Sequence, residues 1–294
     1  MRVGAELWPG NEALFFAAGQ GWLAPADFRL VEMSSGFEAV RAFRNGTLDA
    51  ASLSYDEVIR AMQDGSDPVI LLALDQSHGA AAVLARPGVD TLPALRGKRV
   101  GLQVNSVSAY LMRRALESAA MRSDDIQIVN VAPELHQRSF ERGEVDAVAT
   151  YEPFRSQLLG YGAVELFSST AIPGEIGDVL VVRRDYLEAH PGRAADIHRA
   201  WRRARSRATS PEAVARASTR LSLAPDLFAR MLAGLTILDA PASAAAWQAQ
   251  REQLLTAMTA IQGRLAVAGL ISKQLPLEPL FDWPDGLAGR VWPD

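Results

Sequence analysis

The chain has 294 residues, 49% of them apolar and 22% charged, the balance of a globular chain long enough for two domains. A net charge of −4 leaves no basic face for nucleic acid and no polybasic patch for a membrane surface, and no apolar run approaches the ~20 residues that span a bilayer. There is no cysteine, which excludes disulfides, thiolate metal sites and a cysteine nucleophile.

A strand is expected from Val3 to Leu7, ending at the turn-forming Trp8-Pro9-Gly10-Asn11, with a helix over Glu12 to Ala18. Phe28 to Met33 reads as a strand and Phe37 to Arg44 as a helix with Phe37, Val40 and Phe43 on one face, entered through Ser34-Ser35-Gly36. Leu48 to Leu53 is the next strand, ending at Ser54-Tyr55, and Asp56 to Gln63 the next helix. Val69 to Leu74 is an unbroken apolar run of the kind buried on both faces of a parallel sheet. Asp75, Gln76, Ser77, His78 and Gly79 interrupt it before a second run, Ala80 to Ala85, and the whole stretch reads as a crossover from one domain to the next. The pattern then restarts. A strand over Arg99 to Val104 leads into a helix capped by Asn105-Ser106 and running to about Ala120. Strand 126–131, helix 133–141 and strand 145–150 follow, the last ending at Tyr151-Glu152-Pro153, with an edge strand at 164–167. Asp178 to Arg183 reads as the return crossover. From Tyr186 onward the chain is mostly helical, including 194–209 and a long helix over 244–268. A Pro- and Trp-rich tail, 276–294, is expected to pack as an irregular extension.

The two halves of this pattern match. Arg2-Val3-Gly4 recurs as Arg99-Val100-Gly101, an offset of 97. Phe43-x-x-Gly46-x-x-Asp49-Ala50 recurs as Phe140-x-x-Gly143-x-x-Asp146-Ala147 at the same offset, which indicates a structural duplication, with Asp49 and Asp146 as structural turn residues. The expected architecture is α/β: two lobes of mainly parallel sheet flanked by helices and joined by two crossover strands. One lobe comprises 1–82 and 183–294, the other 83–182.

Open parallel sheets bind ligands at the carboxyl ends of their strands. Those ends carry Trp8, Asn11, Ser34, Ser35, Ser54, Tyr55, Asp75, Ser77, His78, Asn105, Ser106, Ser108, Tyr110, Tyr151 and Glu152, and Asp178 stands on the return crossover. None is Lys or Arg. An anionic group would be held by helix N-termini and hydroxyls at Ser34-Ser35-Gly36 and Asn105 to Ser108, and an amine by Asp75, Glu152 or Asp178. Trp8, Tyr55, Tyr110 and Tyr151 offer flat walls. Each has a plainer reading: Ser106 as a helix cap, Trp8 as a plug of the sheet end, Tyr55 and Tyr151 as rim core, Asp75 as a turn former. The four histidines, 78, 136, 190 and 198, are scattered, and no phosphate loop, dinucleotide fingerprint or nucleophile elbow occurs. Arg202, Arg203, Arg205 and Arg207 on one helix lack interleaved aromatics and read as a solvated face. No metal or other cofactor is expected.

The segments VGAELWPGNEALFFAAGQGWL, FEAVRAFRNGTLDAASLSYDE, LRGKRVGLQVNSVSAYLMRRALE, FERGEVDAVATYEPF and GDVLVVRRDYLEAHP occur in the order seen in the ABC-importer solute-binding proteins for sulfonates, taurine, nitrate and thiamine-pyrimidine precursors. From about residue 2 to 192 the chain resembles that family. The resemblance implies a type II periplasmic-binding-protein fold, with a small polar organic ligand held in the cleft of a monomer by hinge closure and passed to a membrane permease. Ligands of sulfonate or amino-sulfonate type are favoured, with an aminopyrimidine or other small aromatic compound as the alternative. It carries the first ligand loop onto Trp8 to Asn11, the capping serine onto Ser106, and the aromatic-acid-proline corner onto Tyr151-Glu152-Pro153. Asn11 stands where the family commonly has an aromatic residue, which leaves the ligand class open. No leader or lipid-attachment cysteine precedes the first strand. Two expectations follow: a mature periplasmic or membrane-surface protein whose leader was removed, or a cytoplasmic ligand sensor. An enzyme on this scaffold, such as the pyrimidine synthases that resemble the family, would need a His- and Cys-rich iron site, against which the composition argues.

Overall fold

The computed structural model describes residues 1–292; Pro293 and Asp294, the end of the expected tail, lie outside them. In chain order the elements are β1 (Arg2–Glu6), α1 (Glu12–Gly19), β2 (Arg29–Met33), α2 (Gly36–Arg44), β3 (Ala50–Ser54), α3 (Tyr55–Gln63), β4 (Pro68–Ser77), β5 (Ala81–Ala85) and β6 (Arg99–Leu102). There follow α4 (Val107–Ser118), β7 (Gln127–Asn130), α5 (His136–Glu141), β8 (Ala147–Tyr151), α6 (Phe154–Gly160), β9 (Val164–Ser168), β10 (Gly177–Arg183) and α7 (Arg184–Ala189). The last are α8 (Gly192–Arg205), α9 (Pro211–Leu221), α10 (Pro225–Ala233), β11 (Leu235–Ile237), α11 (Ala244–Val267) and α12 (Leu287–Val291).

The chain forms two compact units. The first comprises 1–76, 177–229 and 237–294; the second comprises 77–176 and 230–236. The exchange points fall about six residues earlier than the sequence pattern suggests. The apolar runs of β4 and β10 pair with each other along their length, from Gly177↔Gln76 to Arg183↔Pro68, so both stay within the first sheet.

The first unit's sheet has the order β11-β4-β10-β3-β1-β2, and the second unit's has β7-β6-β8-β5-β9. In the first, β2, β1 and β3 run parallel while β10 runs antiparallel to both β3 and β4. In the second, β7, β6 and β8 run parallel while β5 runs antiparallel to both β8 and β9. Each sheet is therefore mainly parallel, with one reversed strand inserted.

The duplication extends to register and ion pairs. Val3↔Ala50 and Gly4↔Ala51 in the first sheet correspond to Val100↔Ala147 and Gly101↔Val148 in the second. Arg2 Nη2 donates to Asp49 Oδ1 at 2.7 Å and its backbone N–H to Asp49 Oδ2 at 2.7 Å. Arg99 Nη2 donates to Asp146 Oδ1 at 2.8 Å and its backbone N–H to Asp146 Oδ2 at 2.9 Å. Each pair ties the start of the strand next to a sheet's edge strand to the turn before its inner neighbour, which pins the register.

In the first unit, Val69, Leu71, Leu72, Leu180 and Val182 of β4 and β10 pack with Leu14, Phe16, Leu187 and Trp201. The second unit's core joins Leu84 and Val148 to Phe140, Val145 and Leu158. The Trp-rich tail is ordered: Trp283 stacks on Trp247 and Trp292 with ring centroids 4.8 and 5.2 Å apart. On α8 and just beyond it, Arg203 and Arg207 lie over Trp22, and Arg205 pairs with Asp239 at 2.7 Å. Arg202, Arg203 and Arg207 are nonetheless exposed, the solvated face expected of this helix. Among the described residues no helix is long and apolar enough to cross a membrane.

Candidate ligand site

In the first unit the carboxyl ends of β1, β3 and β4 and the start of the reversed β10 lie along one sheet edge, with Asp178 paired to Ser54 on one side and Asp75 on the other. Asp75 is wholly buried and Asp178 is 8% exposed. The loop after β1 brings the Trp8 indole N–H to 3.1 Å from both Asp75 carboxylate oxygens. A Cβ at Gly10 would stand 1.9 Å from Asp75 Oδ2, and one at Gly177 would stand 2.6 Å from the Tyr55 hydroxyl; only glycine leaves room for either group. The Tyr55 hydroxyl is buried and makes no hydrogen bond of good geometry, although the Gln76 side chain approaches it.

Sequence reasoning missed three further acids at this edge. Glu6 ends β1 and Glu6 Oε2 accepts from the Gly36 N–H at 3.0 Å. Asp56 Oδ1 accepts from the Ser54 hydroxyl at 2.8 Å. Glu57 is 1% exposed, and its Oε2 accepts from the Ser54 N–H at 3.0 Å. The Ser54-x-x-Glu57 spacing is a capping-box signature that could have located Glu57. Asp56 has Arg60 beside it at 3.5 Å.

The crowding of acids shows in their proton affinities. Burial, partly offset by the Trp8 hydrogen bond and reinforced by Glu6, pushes the Asp75 carboxyl up to about 7. Burial first, then Asp75 and Glu6, raises Asp178 well above the usual carboxylate range; burial, Glu6 and Asp56 do the same for Glu57. Burial raises the Tyr55 phenol as well.

The expected anion site at Ser34-Ser35-Gly36 does not have the character sequence suggested. Ser34 is exposed, Ser35 caps α2 by accepting from the Glu38 N–H at 3.4 Å, and the Gly36 N–H already holds Glu6. Ser54 likewise gives its N–H to Glu57 and its hydroxyl to Asp56. Both helix starts on this edge are neutralised by their own acids. Asn11 is fully buried; its Nδ2 donates to the Glu6 carbonyl at 3.2 Å and its Oδ1 has no partner.

The second unit's edge is different. Ser106 caps α4, its Oγ accepting from the Ser108 N–H at 3.2 Å and donating to the Gln103 carbonyl at 2.7 Å. Asn105 takes the left-handed conformation, φ 59°, and is exposed, so the two-residue cap expected there is Ser106 alone. No acid lies in the first turn of α4, and the buried Ser108 Oγ and Gln103 Oε1 have no partner. Tyr110 is buried with its hydroxyl donating to Glu175 Oε2 at 2.7 Å, and Glu175 is also clasped by Arg114. Nothing in the sequence marked Glu175, which lies in a loop far from both partners. Tyr151 packs edge-on against Phe154 at 5.9 Å.

Glu152, expected to take an amino end, has its carboxylate engaged inside its own unit. Oε1 accepts from Arg155 Nη1 at 3.1 Å and from the Ser156 hydroxyl at 2.9 Å, and Oε2 accepts from the Ser156 N–H at 3.0 Å. Ser77 Oγ pairs with Ser169 Oγ at 2.8 Å and accepts from the Ala81 N–H at 3.2 Å, a turn-fixing role. His78 is exposed, held by a backbone bond to Gly234 at 2.8 Å. His136 is buried between Thr150 and the Val131 carbonyl, and burial drives its imidazole down to about 4. Among the described residues no three His, Cys, Asp or Glu side chains are disposed to hold a metal ion.

The model of the NMT1-like family matches residues 1–222. The chain belongs to the NMT1-like family. Its relatives include the putative aliphatic sulfonates-binding protein of Escherichia coli K12, 28% identical over 160 residues that make up 54% of this chain and 50% of that protein. The taurine-binding periplasmic protein of the same organism is 29% identical over 173 residues, 57% of this chain and 52% of that protein. The chain thus spans about half the length of the curated relatives it matches. Among solved structures it is similar to the alkanesulfonate-binding protein SsuA of Xanthomonas axonopodis pv. citri bound to MOPS. That match has a TM-score of 0.83 at 20% identity and covers 97% of this chain and 98% of the other. The periplasmic aliphatic sulphonate-binding protein SsuA of Escherichia coli matches with a TM-score of 0.74 at 22% identity over 96% of each chain. These structural matches show that the family member described here has the periplasmic-binding-protein fold.

Proposed function

We propose that this protein is the extracytoplasmic solute-binding component of an ABC importer. It captures a small polar organic ligand, of sulfonate or amino-sulfonate type, by closure of its two units, and delivers it to a membrane permease. It acts as a monomer, in the periplasm or at the membrane surface, and turns nothing over. One observation carries this reading beyond family membership. The strand-end loops hold buried polar atoms without partners, Tyr55 Oη and Asn11 Oδ1 in the first unit and Ser108 Oγ in the second. Buried polar groups are ordinarily hydrogen-bonded, and a ligand supplies what these lack. The acid-free start of α4, with the partnerless Ser108 hydroxyl, suits a sulfonate. Closure would shift an open–closed equilibrium by the ligand's preference for the closed form.

A thermal-shift screen over sulfonates, amino sulfonates, nitrate, aminopyrimidines and small aromatic acids tests the proposal. A ligand at ~100 times its dissociation constant stabilises the folded state by about 2.7 kcal/mol, a shift of roughly 5–10 °C for a chain of this size. A flat response across the whole screen refutes it.

A further inference from the structure

Five carboxylates, Glu6, Asp56, Glu57, Asp75 and Asp178, converge on one edge of the first unit, where Arg60 pairs with Asp56. Neither Asp75 nor Asp178 has a cationic partner among the described residues. The Trp8 indole N–H, shared between the two oxygens, is the side-chain donation Asp75 receives among the described residues. Burying such groups unpaired is costly, so a fold that keeps them there has a use for them or a proton on them. The second observation is independent of the acids. The Tyr55 hydroxyl, on a residue 1% exposed, stands where a Gly177 side chain would be, with no hydrogen bond of good geometry although the Gln76 side chain approaches it.

We infer that this edge receives the cationic or N–H-rich end of the ligand, an amine, amidine or aminoheterocycle, on Asp75 and Asp178, with the Tyr55 hydroxyl as a further contact. This rests on the binding-protein reading above and names the specificity within it: a solute that carries only an anionic group is rejected here. A sulfonate has no donor to give to a carboxylate, and the two helix starts that could have received an anion are filled by Glu6 and Glu57. An ammonium group offers three donors, and an aminopyrimidine a fixed donor–acceptor edge, to a pair of carboxylates already in place. The two side chains stand in place before binding, held by β10–β4 pairing and by the close approach that Gly10 and Gly177 permit.

The test uses matched pairs on the intact protein: taurine with ethanesulfonate, 4-aminopyrimidine with pyrimidine, and benzylamine with toluene-4-sulfonate. Melting temperature and titration calorimetry are the readouts. At least one nitrogen-bearing member should raise the melting temperature while its partner does not. Asp178→Asn should weaken that ligand at least tenfold, and Tyr55→Phe severalfold. Binding to the wild type should release protons, read as a dependence of the calorimetric heat on buffer ionisation enthalpy, and Asp75→Asn should reduce that release. Circular dichroism establishes that the variants are folded, and Tyr55→Phe keeps the test valid should either Asn variant fail to fold. Equal binding within every pair that binds leaves the binding-protein reading standing and overturns the inference. An unaltered amine preference in both Asp178→Asn and Tyr55→Phe overturns it as well. Silence from all six compounds overturns the inference, and a flat response across the wider screen overturns the reading as well.

Discussion

Replacing Asp75 by Asn should make the protein more stable at alkaline pH while impairing the ligand site. Asp75 is fully buried, and its carboxyl is pushed from an ordinary 3.8 to about 7, chiefly by burial, with Glu6 adding to the effect and the Trp8 N–H opposing it. A carboxyl raised in the folded state binds its proton more tightly there than in the unfolded chain. Its folded form is therefore favoured at low pH, and stability is lost as pH rises from about 4 through about 7. At 1.36 kcal/mol per pH unit inside that window, about 2–3 kcal/mol disappears between pH 5 and pH 8. Asn has nearly the same shape and keeps one acceptor for Trp8, so its own cost, about 1 kcal/mol for the altered hydrogen bond, does not depend on pH. The variant should match or trail the wild type at pH 5 and exceed it by about 1–2 kcal/mol at pH 8, several degrees in melting temperature. The difference between the two proteins is the quantity to plot. Buried His136 and His198, both lowered to about 4, lose stability in the opposite sense as pH falls below about 6.5, and they cancel only in that difference. A gap between the two melting curves that stays constant from pH 5 to pH 8 refutes the argument.

His136, buried between Thr150 and Val131, should show imidazole NMR shifts that stay flat from pH 8 to pH 5 and begin to move only near pH 4. Ser106→Ala should cost about 1 kcal/mol of unfolding free energy in urea, the usual value of a helix cap, whereas Ser108→Ala, whose Oγ has no internal partner, should stay within about 0.5 kcal/mol and instead weaken a sulfonate-bearing ligand by about 1 kcal/mol. Glu152→Gln should lower stability by about 1–3 kcal/mol through its lost ties to Arg155 and Ser156, with ligand preference unchanged in calorimetry; a loss of amine selectivity without loss of stability would return Glu152 to the ligand.

Much of the frame was legible because it is local. The repeat from Arg2 to Asp49 and from Arg99 to Asp146 announces the same strand, helix and strand twice, and both ion pairs form as the repeat implies. The strand-end loops were legible for the same reason: turn residues follow apolar runs. The unit boundaries were not, because β4 and β10 look like exits in sequence while their pairing keeps both in one sheet. The acid cluster was hidden more deeply. Positions 6, 56, 57, 75 and 178 share no spacing, and only the reversal of β10 carries Asp178 to the edge where β4 ends. Glu152 presents the reverse case. An acid at a strand end looks available for a ligand until the helix start beside it, Ser156 and Arg155, is seen to use it.

The duplication also shows where the two units part company. Ninety-seven residues on from Glu6, Asp56 and Glu57 stand Gln103, Pro153 and Phe154, so every one of these acids has an uncharged counterpart in the second unit. The same step carries Asn11, with its partnerless buried Oδ1, onto Ser108, with its partnerless buried Oγ. The scaffold residues Arg2, Gly46 and Asp49 are meanwhile repeated without change as Arg99, Gly143 and Asp146. Scaffold and edge therefore obey different constraints. The ion pairs stabilise each sheet and are the same in both copies. Glu57, which burial pushes well above the usual carboxylate range, costs stability at neutral pH even as it caps α3, and the second copy builds the matching strands in the same register without it. A group that costs stability and is absent from the equivalent position of a sister unit is better explained by what it binds than by what it supports. That reasoning supports the proposal that the acids at this edge of the first unit meet a ligand.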